Sequence, residues 1–415
     1  MQTDLLNSMS IWLCQTCFMS LTLIMLLLTY NPALATSVDR NQLCDWLQVS
    51  NSAIESKSNR GEIYKTTLND ARVVMINFKP KKDDWRVAII DLTNQEGEDE
   101  FHFRMLPPCI IVEGRQLIRK GTGVEAISIL DSNLEEQARE PQNPPFIIED
   151  HIPVFAEPPL IALVDTGVNY LLPEFQDSIA IGNDGDLLGY DFWDDDPLPF
   201  DKDPRRNPFF PLHHGSTVFS VMDREADGIK TALYRFPAMN LCRFKALIEH
   251  AAGLGVRIIN MSMGSKDLKE WECFYKVAQS HTKLLFVVSA GNDGISIDKD
   301  PIYPASFGLP NMVVVTSSDV FGRLASESNY GVKNVDFAVP AEQVEVIDHR
   351  GVRNTTGGTS YAAPRVSALA ARFLRHRPNS NVENIINFLK SRSIPSPEAT
   401  TRYGWIPDPT DNYGF

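Results

Sequence analysis

Four polar residues of this 415-residue chain stand beside glycines in settings where their side chains could act together: Asp165, His214, Asn292 and Ser360, in that order. Asp165 closes the apolar run of residues 160–164 and precedes Thr166-Gly167, which places a carboxylate at the mouth of a buried strand, ahead of a tight turn. Alone it reads as a cap or turn residue. His214 opens a helical pattern and is followed by Gly215-Ser216-Thr217-Val218. Histidine serves many roles, and His213 competes for this one, but the flanking Gly215 favours His214. Asn292 lies in Ser289-Ala290-Gly291-Asn292-Asp293-Gly294, just after a buried run. Its amide could donate to a developing oxyanion; the competing reading is a glycine-rich turn. Ser360, in Gly357-Gly358-Thr359-Ser360-Tyr361-Ala362-Ala363-Pro364, begins an alanine-rich helical pattern. There the free N–H groups and the helix dipole favour negative charge, while the plain alternative is a helix-capping serine. Pro364 falls in the first turns, where its missing N–H does least harm.

Together these groups suit acyl transfer. A serine hydroxyl is too weak an acid to attack an amide at neutral pH. An imidazole can take its proton and later return it to the leaving amine. A carboxylate fixes the imidazole tautomer, and N–H donors hold the oxyanion.

The segments Val164-Asp165-Thr166-Gly167, His214-Gly215-Ser216-Thr217-Val218 and Gly358-Thr359-Ser360-Tyr361-Ala362-Ala363-Pro364 resemble the Asp, His and Ser motifs of the subtilisin-like serine proteases, in the chain order of that family. Ile259-Asn260-Met261-Ser262-Met263-Gly264 resembles the strand lining the substrate cleft, and Ala290-Gly291-Asn292 the oxyanion segment. The resemblance covers residues 159–378. It implies an endopeptidase with Asp165, His214 and Ser360 as a triad and Asn292 as oxyanion donor. An extended polypeptide substrate would pair with Ser262, Met263 and Gly264 on one edge and Ser289, Ala290 and Gly291 on the other. It also implies an N-terminal propeptide able to inhibit the enzyme. The sequence departs from the family pattern at Ser216 (usually Thr), Phe219 (usually small), Tyr361 (usually Met) and Arg365 (usually His). None of these removes a triad group. The rival function is a catalytically inactive subtilase-like binding or scaffold protein. An α/β-hydrolase esterase is set aside, because it needs a G-x-S-x-G elbow and the order Ser, Asp, His.

Positioning such groups needs a framework. Residues 160–164, 256–262, 284–289 and 311–316 are continuous apolar runs, and residues 244–255 and 271–280 carry helical spacing between them. Buried strands alternating with helices predict an α/β fold. By the resemblance it is a three-layer subtilisin-like fold, with a mostly parallel sheet flanked by helices. In such sheets the reacting groups sit beyond the carboxyl ends of the strands. A small α+β N-terminal domain precedes it, with strand-like runs at 71–78 and 85–90, a charged turn at 79–84 and an acidic loop at 94–100. Residues 135–159, rich in Glu, Gln and Pro, read as a linker. The expected divisions are a signal peptide at 1–35, a propeptide-like or accessory domain at 36–143, a linker at 144–158, the catalytic domain at 159–395 and a tail at 396–415.

The signal reading rests on the apolar run of residues 18–30 and the A-x-A spacing of Ala33 and Ala35, although residues 1–7 carry Asp4 and no Lys or Arg. It predicts a secreted or periplasmic protein with no stable membrane association after cleavage, or a membrane-anchored one if the signal stays. Export would leave Cys44, Cys109, Cys242 and Cys273, and the domain division favours the pairs Cys44–Cys109 and Cys242–Cys273 over free thiols. The net charge of −14 disfavours nucleic acid as a partner. No cofactor is needed for the chemistry and no metal ligand is assigned. The acidic stretch of residues 183–203 could hold a structural calcium, but its spacing fits no ligand pattern and a solvated loop is favoured.

Overall fold

A computed structural model describes residues 38–49, 54–58, 61–81, 84–121, 123–146, 160–226, 228–237 and 240–415. The expected signal peptide and residues 147–158 of the expected linker lie outside the described residues.

The N-terminal region opens with helix α1 (Arg40–Val49). Strands β1 (Ile54–Ser58), β2 (Gly61–Thr67), β3 (Val73–Lys81), β4 (Asp84–Thr93), β5 (Asp99–Leu106), β6 (Ile110–Lys120), β7 (Gly123–Leu130) and β8 (Glu136–Pro141) follow, forming one sheet in chain order. The pairs from β1 to β4 are antiparallel. The strands predicted at 71–78 and 85–90 are β3 and β4. They run closer together than the charged turn suggested, with Lys81 opposite Asp84. Residues 136–141, at the start of the polar stretch 135–159 but inside the expected 36–143 domain, form β8. Its side chains are almost all exposed, so their polar composition resembled a linker, while backbone pairing leaves no trace in hydropathy.

By contact density the chain forms two compact units. The smaller holds the described residues up to 98, then 102–114 and 130–136; the larger holds 99–101, 115–129 and 137–415. Both expected disulfides are present, Cys44–Cys109 in the smaller unit and Cys242–Cys273 in the larger.

The larger unit contains a seven-stranded sheet. Its strands are β9 (Leu160–Asp165), β10 (Gly189–Asp191), β11 (Thr231–Arg235), β12 (Val256–Met261), β13 (Leu285–Ser289), β14 (Met312–Ser318) and β15 (Phe337–Pro340). Their order is β10-β11-β9-β12-β13-β14-β15 and every pairing is parallel. The helices are α2 (Gly215–Glu225), α3 (Phe244–Gly253), α4 (Leu268–Ser280), α5 (Thr359–His376) and α6 (Val382–Arg392). A hairpin of β16 (Val344–Ile347) and β17 (Arg353–Thr356) leads into α5.

Both faces of the sheet are covered because β9 alternates. Ile161 and Leu163 pack with α2, α5 and α6. Leu160, Ala162 and Val164 pack with α3 and α4. Helix α3 presents Phe244, Leu247, Ile248 and Ala251 inward, at the spacing of one helical face. The larger three, Phe244, Leu247 and Ile248, each contribute roughly 1.5–3 kcal/mol when fully buried. Strand order reverses at β9, which has β11 on one side and β12 on the other. Ligands of open parallel sheets bind at such a switch point, and Asp165 ends that strand. The C-terminal tail lies against the larger unit. The Arg372 guanidinium donates to the Thr410 carbonyl at 2.7 Å, and that of Arg392 to the Tyr413 carbonyl at 2.8 Å.

Candidate active site

Asp165 is buried at the end of β9. Its Oδ1 accepts from His214 Nδ1 at 2.7 Å and from the Thr166 backbone N–H at 2.8 Å. His214 caps α2 and its side chain is a quarter exposed. Burial disfavours charge on the imidazole, but the Asp165 carboxylate, its hydrogen bond and the charge of Asp201 outweigh that. His214 therefore titrates above its ordinary value of 6.5.

The His motif packs directly on the Asp turn. A Cβ at Gly215 would lie 1.9 Å from the Gly167 carbonyl oxygen. That oxygen cannot move without the turn carrying Asp165. Gly215→Ala is expected to cost about 3 kcal/mol or more, read as a lower Tm with loss of hydrolysis; an unchanged Tm would contradict the packing described.

Ser360 is half-buried in the first turn of α5. Gly358, at φ 124°, supplies the left-handed entry to this helix. Pro364 removes the N–H that would have bonded the Ser360 carbonyl, and Ser262 Oγ takes that carbonyl instead at 2.9 Å. The missing bond thus ties the Ser360 turn to the strand end that lines the cleft.

Asn292 Oδ1 accepts from the Thr359 N–H at 2.9 Å and from its hydroxyl at 3.0 Å. A backbone N–H can only donate, so the amide oxygen must face Thr359 and the NH₂ group is left for the cleft. Among the described residues it has no partner. The Ser360 N–H, in the first helical turn, likewise has no intrahelical partner. Asn292 and Ser360 line one cleft of about 480 Å³ with Ser262, Met263, Gly264, Ser289 and Gly291. Ala290, expected beside them, does not. Its side chain is in the core, its N–H donates to Val315 and its carbonyl accepts from Asn329, which spends its N–H on the fold.

The structure brings Asp165 and His214 into contact and places Ser360 with Asn292. Among the described residues no hydrogen bond joins Ser360 to His214. One tie between their elements, near the site, is Tyr361, whose ring centre lies 6.2 Å from that of His214 and whose hydroxyl is 3.4 Å from Thr217 Oγ1. Thr217 in turn donates to the His214 carbonyl at 2.6 Å. Catalytic contacts are commonly long before substrate binds. The other departures are also accommodated. Phe219 is buried edge-on against Phe175, with ring centres 4.9 Å apart. Arg365 Nε reaches both Glu225 carboxylate oxygens at 3.0 Å, joining α5 to α2.

The acidic stretch is only partly the solvated loop expected: Asp184, Asp186 and Asp195 are exposed, but the rest is built into the fold. Asp191, Asp201 and Asp203 are buried. Fully buried Arg235 donates to Asp191 at 2.7 Å and to the Lys202 carbonyl at 2.9 Å, lies 3.0 Å from Asp194, and stacks over Trp193. Lys202 pairs with Asp194 at 2.7 Å, Arg205 grips Asp203 at 2.6 Å, and Arg243 holds Asp195. Burial works against the Asp194 charge, but Arg235 and Lys202 hold its carboxyl below the usual range. The carboxylates of Asp191, Asp194, Asp195 and Asp203 are thus engaged by cations, and no cluster of His, Cys, Asp and Glu that could hold a metal ion occurs among the described residues.

Sequence reasoning missed Thr166 and Asp201 as parts of the site. Thr166 Oγ1 accepts from the N–H of His214 at 3.1 Å and of Gly215 at 2.7 Å, and donates to Asp201 at 2.6 Å. It also missed part of the cleft lining, where Leu241, Trp271 and Ile302 add apolar wall and Arg205 a charge. The position of Thr166 beside Asp165 was the available signal; for the others there was none.

The Subtilase family profile matches residues 157–405. The chain is 29% identical over 244 residues to a thermophilic serine proteinase of Bacillus sp. (strain AK1), covering 54% of this chain and 53% of that protein. It is 26% identical over 251 residues to the halolysin-like extracellular serine protease Nep of Natrialba magadii, covering 57% and 43%. The chain thus spans about half the length of the curated relatives it matches. Among solved structures, a cold-adapted subtilisin-like serine proteinase superposes with a TM-score of 0.50 at 22% identity, covering 64% of this chain and 94% of that one, which supports the fold. With more than half of its residues inside the family profile, this chain belongs to the subtilase family.

Proposed function

We propose that the chain is an exported serine endopeptidase that cleaves polypeptides through an acyl-enzyme. The observation that carries this reading is the 2.7 Å contact between Asp165 and His214, 49 residues apart in sequence, at the switch point of the sheet. In the proposed route, His214 takes the Ser360 proton as Oγ attacks the substrate carbonyl, then gives it to the leaving amine. Asp165 keeps the proton on Nδ1 and stabilises the imidazolium. The Asn292 amide and the Ser360 N–H hold the oxyanion. Water then attacks the acyl-enzyme, His214 taking its proton and returning it to Ser360 Oγ, which releases the acid and restores the free serine. Family membership favours it over the inactive scaffold reading, since a scaffold has no need of all four groups.

Two disulfides suit an oxidising compartment, and one relative is named as extracellular; both support export. No helix among the described residues is long and apolar enough to cross a membrane. Residues 36–143 would serve as an inhibitory propeptide, cut between residues 135 and 159. Persistence of a chain beginning near residue 36 after prolonged incubation would instead favour a permanent accessory domain.

The pH profile tests the base. His214 must be neutral to accept a proton, and its pKa is raised, so kcat/KM is expected to climb with pH to a half-maximum above 6.5 and then level off. Asp165→Asn removes the charge that raises it and should move the half-maximum to lower pH while depressing the plateau. A wild-type rise centred below 6.5, or one unmoved in Asp165→Asn, would remove this pair from the mechanism. For stability the sign is opposite: the contribution of the raised His214 is full below 6.5 and lost as pH climbs through its folded value.

A further inference from the structure

We propose that Asp201, acting through the Thr166 hydroxyl, is a positioning residue that sets the place of His214 for proton transfer; this rests on His214 being the base proposed above. Helix α2 has no side-chain cap of its own, yet its leading N–H groups need acceptors. Thr166 and Asp201 supply them. Thr166 Oγ1 takes the N–H of His214 and of Gly215, and Asp201 Oδ2 takes that of Ser216 at 2.8 Å.

A threonine hydroxyl has one proton and two lone pairs. Donating that proton to Asp201 Oδ1 at 2.6 Å turns both lone pairs toward the helix. Without Asp201 the hydroxyl is free to rotate and donate elsewhere, and the two N–H groups lose a fixed acceptor. Thr166 directly follows Asp165. His214 is therefore gripped twice from one dipeptide, its ring by Asp165 and its backbone by Thr166.

Asp201 is not explained by an ion pair. Asp191 and Asp203 pair with arginines, but among the described residues Asp201 meets no lysine or arginine. It is fully buried, and burial pushes its carboxyl up against the pull of His213 and of its hydrogen bonds to Ser216 and Thr166. A carboxyl kept there at a cost of several kcal/mol faces the positive end of the helix that carries His214. Its backbone is held too. His213 Nδ1 lies 2.5 Å from the Asp201 carbonyl, and the Lys202 N–H donates to the Thr166 carbonyl at 2.9 Å.

The test uses the active protein and a peptide with a chromogenic leaving group. Thr166→Val deletes the hydroxyl and keeps the shape, and Thr166→Ser restores the hydroxyl. Thr166→Val and Asp201→Asn are expected to lower kcat roughly 10- to 100-fold with KM unchanged, and Thr166→Ser to keep the wild-type kcat. Wild-type kcat in Thr166→Val would overturn the inference, as would Thr166→Ser falling as low as Thr166→Val. If Asp201→Asn does not fold, the Thr166 pair decides. His214→Ala separates the two readings. An active His214→Ala sinks the base assignment itself; an inactive one beside a fully active Thr166→Val sinks the role of Asp201 alone.

Discussion

Ser360→Ala is expected to abolish hydrolysis while leaving the fold intact. The turnover loss should be about 10⁶-fold, a magnitude that rests on measurements made on subtilisin. The contrast with stability makes this informative. Among the described residues the Ser360 hydroxyl takes no hydrogen bond, and the contact made by Ser360 is through its backbone carbonyl to Ser262. Alanine keeps that carbonyl and costs no more than about 0.5 kcal/mol. The expected result is an unchanged Tm with no peptide cleavage; if processing of the N-terminal domain is autocatalytic, the chain should also stay uncut. A large fall in Tm would mean that Ser360 is a structural residue.

Asn292 should also give a large effect, and here two substitutions separate two jobs. Its amide oxygen anchors Thr359, the residue before Ser360. Its NH₂ group is left for the cleft. Asn292→Ala loses both, and turnover should fall by roughly 10²–10³, the cost of one oxyanion donor as measured on subtilisin. KM should change little, because the charge to be stabilised develops only after binding. Asn292→Asp keeps an acceptor for Thr359 and loses the donor. If oxyanion stabilisation is the main role, its kcat falls at least as far as that of Asn292→Ala. Recovery of turnover in Asn292→Asp would show instead that Asn292 serves only to hold Thr359.

Much of this site was legible because its chemistry is packed into short segments. Asp165, His214, Asn292 and Ser360 each sit close to the glycines that shape their own turns, and β9, β13 and β14 each contain four or more consecutive apolar residues. The cysteine pairing followed from the domain division. What escaped notice depends on contacts across the chain. β11 contains Thr231 and Arg235, so it lacks the apolar signature, yet Arg235 is fully buried because Asp191 meets it from β10. Asp201 looked like one more solvated carboxylate among many. Only the fold brings it against Thr166 and Ser216, 35 and 15 residues away. The polar stretch from residue 135 concealed β8 for a similar reason, since an exposed strand shows only its polar side chains to the eye. Ala290 was placed beside the substrate because a motif marks a segment, whereas its backbone N–H and carbonyl are taken by Val315 and Asn329 from elsewhere in the chain.

The central claim is that Ser360 is a nucleophile activated by His214. Reaction of the purified protein with a fluorophosphonate, followed by mass analysis of the labelled peptide, tests it most directly. The account predicts a covalent adduct on Ser360 that forms quickly in the wild type, is absent in Ser360→Ala and is strongly slowed in His214→Ala. A folded wild-type protein that remains unlabelled, or carries the label on another residue, would contradict it.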